Sequence, residues 1–214
     1  MEYNENNSLP DTRTSPPPPL TNEQADASAK DPHFFIKEVI KFAIIAALIV
    51  APIRLFIAQP FIVSGASMEP TFETGQYVIV DQLSYAFEKP VRGDVVIFRY
   101  PRDPSTFFIK RIIGLPGETI QLRGKDVIIK NSEHESGIIL DEPYLEKENK
   151  SSANMTVELK DTEYFVMGDN RHESSDSRIW GPLDEKYLVG RALLRLFPFT
   201  GDILLPGGIQ KSYE

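Results

Sequence analysis

One apolar segment, residues 34–58, divides this chain and limits what it can fold into. It reads FFIKEVIKFAIIAALIVAPIRLFIA, and its uncharged centre, Phe42 to Ile53, is only 12 residues long. That centre alone suits a core helix or the middle of a signal peptide. Taken from Phe34 to Ala58, the segment spans about 37 Å as a helix. Lys37 and Lys41 can snorkel toward the headgroups at one end and Arg54 at the other. Pro52 is costly inside a soluble helix but tolerated near the end of a membrane helix. An acidic leader and the lack of an Ala-X-Ala site after Ala58 argue against a cleaved signal peptide. The segment therefore reads as a single transmembrane anchor, in preference to a buried or interfacial helix.

Charge gives the orientation. Lys30, Lys37 and Lys41 precede the apolar run, and after Arg54 no Lys or Arg occurs until Lys89. By the positive-inside rule the N-terminus is cytoplasmic and the rest lies on the outer side of the cell membrane, or of an internal membrane such as the thylakoid. Residues 1–33 carry prolines at 10, 16, 17, 18, 19 and 32, and no Val, Ile or Phe through residue 32. Such a tail buries too little apolar surface to offset its ordering entropy, so it reads as disordered. The Pro16–Pro19 run should be polyproline II, a solvated tail rather than a ligand for a partner's aromatic groove.

Residues 59–205 read as mainly β. Strand-like runs occur at Tyr77–Val80, Val95–Tyr100, Phe107–Ile113, Thr119–Leu122, Val127–Lys130, Thr156–Leu159, Tyr164–Met167 and Ala192–Phe197. Arg92-Gly93-Asp94, Leu115-Pro116-Gly117-Glu118 and Arg123-Gly124-Lys125-Asp126 separate them as turns, the last closing a hairpin between residues 118 and 131. Residues 132–155 are polar and poorly patterned, a surface excursion, and 206–214 form a C-terminal tail. No long helical period occurs, so the expected fold is one coiled, antiparallel β-domain of barrel-like form.

Composition removes several function classes. A net charge of −8 with no Lys/Arg cluster argues against nucleic-acid partners. There is no cysteine, which excludes disulfides and thiolate catalysis. His33, His134 and His172 share no metal-ligand spacing, so no metal or other cofactor is expected.

Three stretches carry candidate chemistry. In Ser64-Gly65-Ala66-Ser67-Met68-Glu69-Pro70-Thr71, small residues beside a serine let a substrate backbone approach, and Pro70 stiffens the exit. In Phe107-Phe108-Ile109-Lys110-Arg111-Ile112-Ile113-Gly114, strand alternation puts Lys110 on one face with Phe108 and Ile112. Arg111 shares the other face with Ile109 and Ile113, and either face can be the solvated one. A Lys desolvated by apolar neighbours loses its charge more easily and can take a proton from a serine. The third stretch, Gly168-Asp169-Asn170-Arg171-His172-Glu173-Ser174-Ser175-Asp176-Ser177-Arg178, packs short polar side chains into one loop after a strand.

With Arg92-Gly93-Asp94-Val95-Val96-Ile97-Phe98 added, and the second stretch continued to Glu118, four motifs stand in the order found in bacterial type I signal peptidases. The chain resembles that family over about residues 55–200. The resemblance implies a Ser–Lys serine protease that removes signal peptides from exported preproteins after small residues at −3 and −1. Its partners would be signal peptides, the lipid bilayer and export machinery. Ser67, the serine before methionine, is the implied nucleophile, and Lys110 its general base. Ser174 matches a serine that orients the lysine, Asp176 and Arg178 match a bracing pair, and Asp169 and Asn170 match the core of the loop. The Ser67 backbone N–H is the implied oxyanion donor. Where some members carry a second, hydroxyl donor this chain has Gly65, leaving Ser64 or a backbone group as the candidate substitute.

Rival readings fit less well. A soluble self-cleaving repressor with a Ser–Lys dyad would carry a DNA-binding helix-turn-helix in place of the anchor. A Ser–His relative would need histidine at position 110. A tethered β-domain that binds peptides without cleaving them would have lost Ser67 or Lys110. Only eight residues separate Ala58 from Ser67, so the nucleophile should sit near the membrane, with Phe61, Ile62, Val63 and Phe72 as an apolar rim.

Overall fold

The computed structural model describes residues 32–52, 58–145, 149, 153–197 and 203–206. Most of the leader and of the C-terminal tail expected from the sequence lie outside the described residues. The chain divides into two compact units, Met1–Ala47 and Leu48–Glu214.

Helix α1 runs from Pro32 to Pro52. Proline fits its first turn, where a missing N–H costs nothing, and a second proline stands at its end. Apolar side chains point outward around it, with Phe35, Phe42 and Leu48 each about 70% exposed (72%, 69% and 70%). Among the described residues no helix is long and apolar enough to cross a membrane. Lys37, Glu38 and Lys41 interrupt the first half of α1. Ala58, the last residue of the expected span 34–58, belongs to a strand, and residues 53–57 of that span lie outside the described residues.

The remainder is antiparallel β-structure. A seven-stranded sheet has the order β1-β2-β11-β3-β4-β9-β10, and a four-stranded sheet has the order β7-β6-β5-β8. The large sheet comprises β1 (Ala58–Ile62), β2 (Tyr77–Asp81), β3 (Val95–Tyr100), β4 (Asp103–Gly114), β9 (Glu163–Met167), β10 (Leu183–Asp184) and β11 (Leu188–Phe197). The small sheet comprises β5 (Thr119–Arg123), β6 (Asp126–Lys130), β7 (Ile138–Ile139) and β8 (Asn154–Glu158). The predicted hairpin is β5–β6, closing with Arg123 opposite Asp126. Apart from α1, the one α-helix among the described residues is α2, four residues from Ser177 to Trp180.

The unbroken apolar run of β3 has a packing cause. Val95 and Ile97 enter one core with Met68, Phe72, Val78 and Val80. Val96 and Phe98 enter another, with Ile112, Tyr164 and Val166. A strand covered on both faces cannot alternate apolar with polar. A third core lies under the small sheet, built from residues such as Ile120, Leu122, Ile129 and Phe165.

The large sheet curls strongly. Phe61 of β1 and Phe107 of β4 have ring centroids 5.3 Å apart, edge to face, although three strands stand between them in the sheet. Register shifts in β11 against both β2 and β3 supply local bends. The expected mainly antiparallel β-fold is the one observed, built as two open sheets.

Candidate active site

The serine box follows β1 as a turn pinned from beneath. Met68 and Phe72 are fully buried, and the Phe72 N–H donates to the Met68 carbonyl at 2.8 Å. Burying two such side chains contributes roughly 1.5–3 kcal/mol each, which anchors the turn while Ser67 stays half-buried at its top. Gly65 sits at φ +95° and donates its N–H to Thr74 Oγ1 at 3.0 Å. That conformation is easy only for glycine. Because this N–H is engaged, it is not free to act as an oxyanion donor. Ser64 is exposed and lines the same cleft as Ser67. The apolar rim expected from sequence needs correction: Phe72 and Val63 are core residues, and Ile62, 59% exposed, remains at the surface. Position along the chain gave no sign of which way these side chains turn.

Strand β4 brings Lys110 to the serine. Lys110 Nζ donates to Ser67 Oγ at 2.7 Å and to the Ile109 carbonyl at 2.8 Å. Lys110 is 3% exposed, and Phe108 places its ring 5.2 Å from the ammonium nitrogen. Burial pushes the Lys110 pKa down to about 8, against the opposing pull of the Asp176 and Asp169 carboxylates. The sequence left one face of β4 to solvent near here. Neither is, because Arg111 is buried as well, with no exposure at all.

Arg111 is satisfied by a buried ion pair. Its Nε and Nη2 donate to the two carboxylate oxygens of Asp169 at 2.8 and 2.6 Å, and Nη1 donates to the Gly93 carbonyl. Thr71 Oγ1 donates to the same Asp169 at 2.5 Å. The Asp169 carboxylate therefore ties three of the four motifs to one another.

The loop after β9 reaches the serine through its backbone. Asn170 N–H donates to the Ser67 carbonyl at 3.0 Å. Gly168 lies so close that a Cβ there would stand 2.3 Å from the Ser67 carbonyl oxygen and 2.2 Å from Ser174 Oγ. Asp176 caps α2, accepts the Gly168 N–H at 3.0 Å, and is gripped at both oxygens by Arg178 Nε and Nη2 at 2.8 and 2.7 Å. Burial alone would raise the Asp176 carboxyl, but Arg178 and these hydrogen bonds hold it below the usual carboxylate range. Ser174 is buried beside them; its hydroxyl faces the Asp176 carboxylate closely enough to help hold that group low, but outside strict hydrogen-bonding geometry. It lies next to the Ser67 backbone and does not bond Lys110, the contact that the resemblance implied. The second Lys110 partner is instead the Ile109 carbonyl. His172 is exposed on the same loop.

Ser67 and Lys110 line a cleft of about 410 Å³ bordered by Phe61–Ser67 and Thr106–Lys110. Strand β9 pairs with β4 only from Arg111 to Gly114. Among the described residues, the edge of β4 preceding Arg111 thus carries no strand on the side away from β3. Among the same residues the outer edge of β1 is also unpaired. Free backbone edges beside a hydrogen-bonded serine and a lysine of lowered pKa suit an extended peptide and acyl transfer.

Sequence reasoning missed Thr71 as a support, although it lies in a quoted motif. It also missed Glu142, Tyr144 and Asn149, in the stretch read as a surface excursion. That stretch is more than surface: Leu140, Glu142 and Leu145 are buried, and Ile138–Ile139 form β7. Polar residues without periodicity gave no signal for this.

Comparison with known proteins supplies the family. Residues 36–197 match the family described as signal peptidase, peptidase S26. A probable signal peptidase I-1 from a Synechocystis species is 35% identical over 174 residues, covering 78% of this chain and 85% of its own length. Signal peptidase I of Leptolyngbya laminosa is 34% identical over 196 residues, covering 88% and 91%. A crystal structure of a signal peptidase I from Enterococcus faecalis V583 shares 31% identity, covers 49% of this chain and 97% of its own, and has a TM-score of 0.41. Matched from residue 36 to 197 and more than a third identical to a relative over most of its length, the chain belongs to the signal peptidase family, peptidase S26, a family of serine peptidases.

Proposed function

We propose that the chain is a membrane-anchored endopeptidase that removes signal peptides from exported preproteins through an acyl-enzyme on Ser67, with Lys110 as general base. The observation that carries this is the 2.7 Å contact between Lys110 Nζ and Ser67 Oγ in a cleft bordered by free strand edges. With its pKa lowered to about 8, a useful fraction of Lys110 is neutral near physiological pH.

Neutral Lys110 Nζ takes the Ser67 hydroxyl proton as Oγ attacks the scissile carbonyl. The Ser67 N–H, which donates to no acceptor within the described residues, is the first oxyanion donor, and Ser64 the second. As the C–N bond breaks, protonated Lys110 passes its proton to the leaving amine. It then accepts a proton from the water that attacks the ester and returns it to Ser67 Oγ as the acyl C–Oγ bond breaks, releasing the carboxyl product and free enzyme. Asp176 and Arg178 act by holding the 168–178 loop, and Ser174 by packing against the Ser67 backbone.

The substrate lies extended against β4, adding backbone hydrogen bonds to the edge that β9 leaves open. Small residues at −3 and −1 fit because Gly65 and Ala66 leave the cleft wall low beside Ser67. Anchoring falls to the longer 34–58 segment, of which α1 is the described part: its outward apolar side chains suit lipid, with Lys37 and Lys41 reaching the headgroups. Lys30, Lys37 and Lys41 on its N-terminal side, against no Lys or Arg between Arg54 and Lys89, argue for a cytoplasmic leader and a β-domain across the membrane.

The test uses the full chain in detergent, a preprotein with an Ala-X-Ala site, and the variants Ser67→Ala and Lys110→Ala. Cleavage at that site by the parent and by neither variant is expected. A parent that binds the preprotein without cutting it would overturn the reading in favour of a tethered binding domain. Cleavage that survives Lys110→Ala at neutral pH would remove Lys110 from its role.

A further inference from the structure

The 168–178 loop is held from its far side by residues that no motif contains. The Glu142 carboxylate receives both terminal nitrogens of Arg171, with side-chain exposures of 2% and 0%. Arg171 Nε in turn donates to the Gly168 carbonyl at 3.0 Å. Asn149 works beside it. Its Nδ2 donates to the Asp169 carbonyl at 2.8 Å, and its Oδ1 accepts the Arg171 N–H at 2.9 Å. Tyr144 closes the group, with its hydroxyl donating to Glu142 at 2.7 Å and its ring 3.9 Å from the Arg111 guanidinium.

Every residue from 168 to 171 therefore has a main-chain group tethered. Gly168 is held by Asp176 and Arg171, Asp169 and Arg171 by Asn149, and Asn170 by the Ser67 carbonyl. The tether to Ser67 is the productive end of this chain of contacts. The clamp to Glu142 and Asn149 is the end that fixes where the loop stands. Charge is balanced inside the group, since Arg111 and Arg171 face Asp169 and Glu142. A buried arrangement of this kind is rigid only while all its members are paired.

We infer that Glu142 and Asn149 are positioning residues for the peptidase reaction: through Arg171 and the 168–171 backbone they set the place of Ser67 relative to Lys110. This rests on the proposed roles of Ser67 and Lys110. Neither residue touches the cleft, so their loss should disturb the reacting atoms and leave substrate binding alone. Misplacing a nucleophile by about 1 Å costs on the order of 10²-fold in rate.

The experiment measures kcat, KM and the thermal midpoint for full-length parent, Glu142→Ala, Asn149→Ala and the double variant on an Ala-X-Ala preprotein. Asn149→Ala removes two neutral contacts and leaves no charge unpaired, so it keeps the test open if Glu142→Ala unfolds. The expected result is a kcat about 10-fold lower for Asn149→Ala and about 100-fold lower for Glu142→Ala, with KM within twofold of the parent. In the double variant the losses should be less than multiplicative, because both residues hold one loop. A folded Asn149→Ala with kcat within twofold of the parent overturns the inference, as does a loss confined to KM. A parent with no activity defeats the peptidase reading itself, so the two failures are distinct.

Discussion

Replacing Gly168 by alanine tests whether the position of the Ser67 backbone governs the rate. The added Cβ would stand 2.3 Å from the Ser67 carbonyl oxygen, 2.2 Å from Ser174 Oγ and 2.6 Å from Ser174 Cβ. A relaxed carbon–oxygen contact lies near about 3.3 Å, so the loop and the serine turn must part by about 1 Å. Ser174 can swing its hydroxyl aside by rotating about χ1, loosening no more than a weak contact with Asp176. The Ser67 carbonyl cannot, since it belongs to the backbone and accepts the Asn170 N–H at 3.0 Å. Pinned below by Met68 and Phe72, the turn can yield only by carrying Ser67 with it. Overpacking of this size costs about 1–3 kcal/mol of stability. A displacement of about 1 Å at a nucleophile costs on the order of 10²-fold in kcat. Gly168→Ala should therefore fold with a lowered thermal midpoint and cleave an Ala-X-Ala preprotein about 100-fold more slowly, with KM little changed. A folded Gly168→Ala with kcat within threefold of the parent would refute the reasoning, because the turn would then have moved without consequence for the chemistry.

Three further outcomes follow from the electrostatics of the cleft. The pH profile of kcat/KM should rise to a plateau with a midpoint near 8, the pKa to which burial lowers Lys110. Asp176 pulls that pKa upward, so Asp176→Asn should move the midpoint to lower pH, and a midpoint that rises would contradict the assignment. Burying a charged Lys110 destabilises the fold, since its pKa falls from 10.5 to about 8 on folding. Below pH 8 that penalty is complete, and it fades as pH rises toward 10.5, where the unfolded chain also sheds the proton. Lys110→Met should thus be more stable than the parent at pH 7 by up to about 3 kcal/mol, with the gap closing above pH 8 in urea unfolding series. A Lys110→Met variant less stable than the parent at pH 7 would show that its hydrogen bonds outweigh its desolvation. Ser64→Ala should lower kcat by about 10- to 100-fold if its hydroxyl is the second oxyanion donor; unchanged kcat in steady-state assays would assign that role elsewhere.

What the sequence disclosed, and what it did not, separates by the kind of physics involved. Runs such as Val95–Tyr100 and Thr119–Leu122 were legible because burial imposes a pattern on neighbouring residues along the chain. The short edge elements β1, β7 and β10 were not. Pro60 sits inside β1, where a proline is tolerated because one edge is unpaired, and β7 and β10 have two residues each. The Ser67–Lys110 contact joins residues 43 positions apart, and motif order pointed to it where periodicity could not. The double burial of Lys110 and Arg111 was hidden for a related reason. Alternation says that two side chains point opposite ways, and it says nothing of what covers each face. The Glu142 and Asn149 contacts left least trace of all. A polar side chain that holds another loop's backbone looks, in sequence, like one that faces water.

The curl that brings Phe61 against Phe107 has a consequence for what can be digested. It sets the outer edge of β1 and the open edge of β4 on the two borders of one cleft, and an edge is filled by backbone, whatever side chains that backbone carries. A folded protein offers no bare length of chain to occupy such a slot. Only a stretch that has not yet folded, or has been drawn out straight, meets the requirement. On the proposed mode of binding, selection by conformation comes before selection by residue type, and a protease built this way would stand among finished proteins and leave them whole.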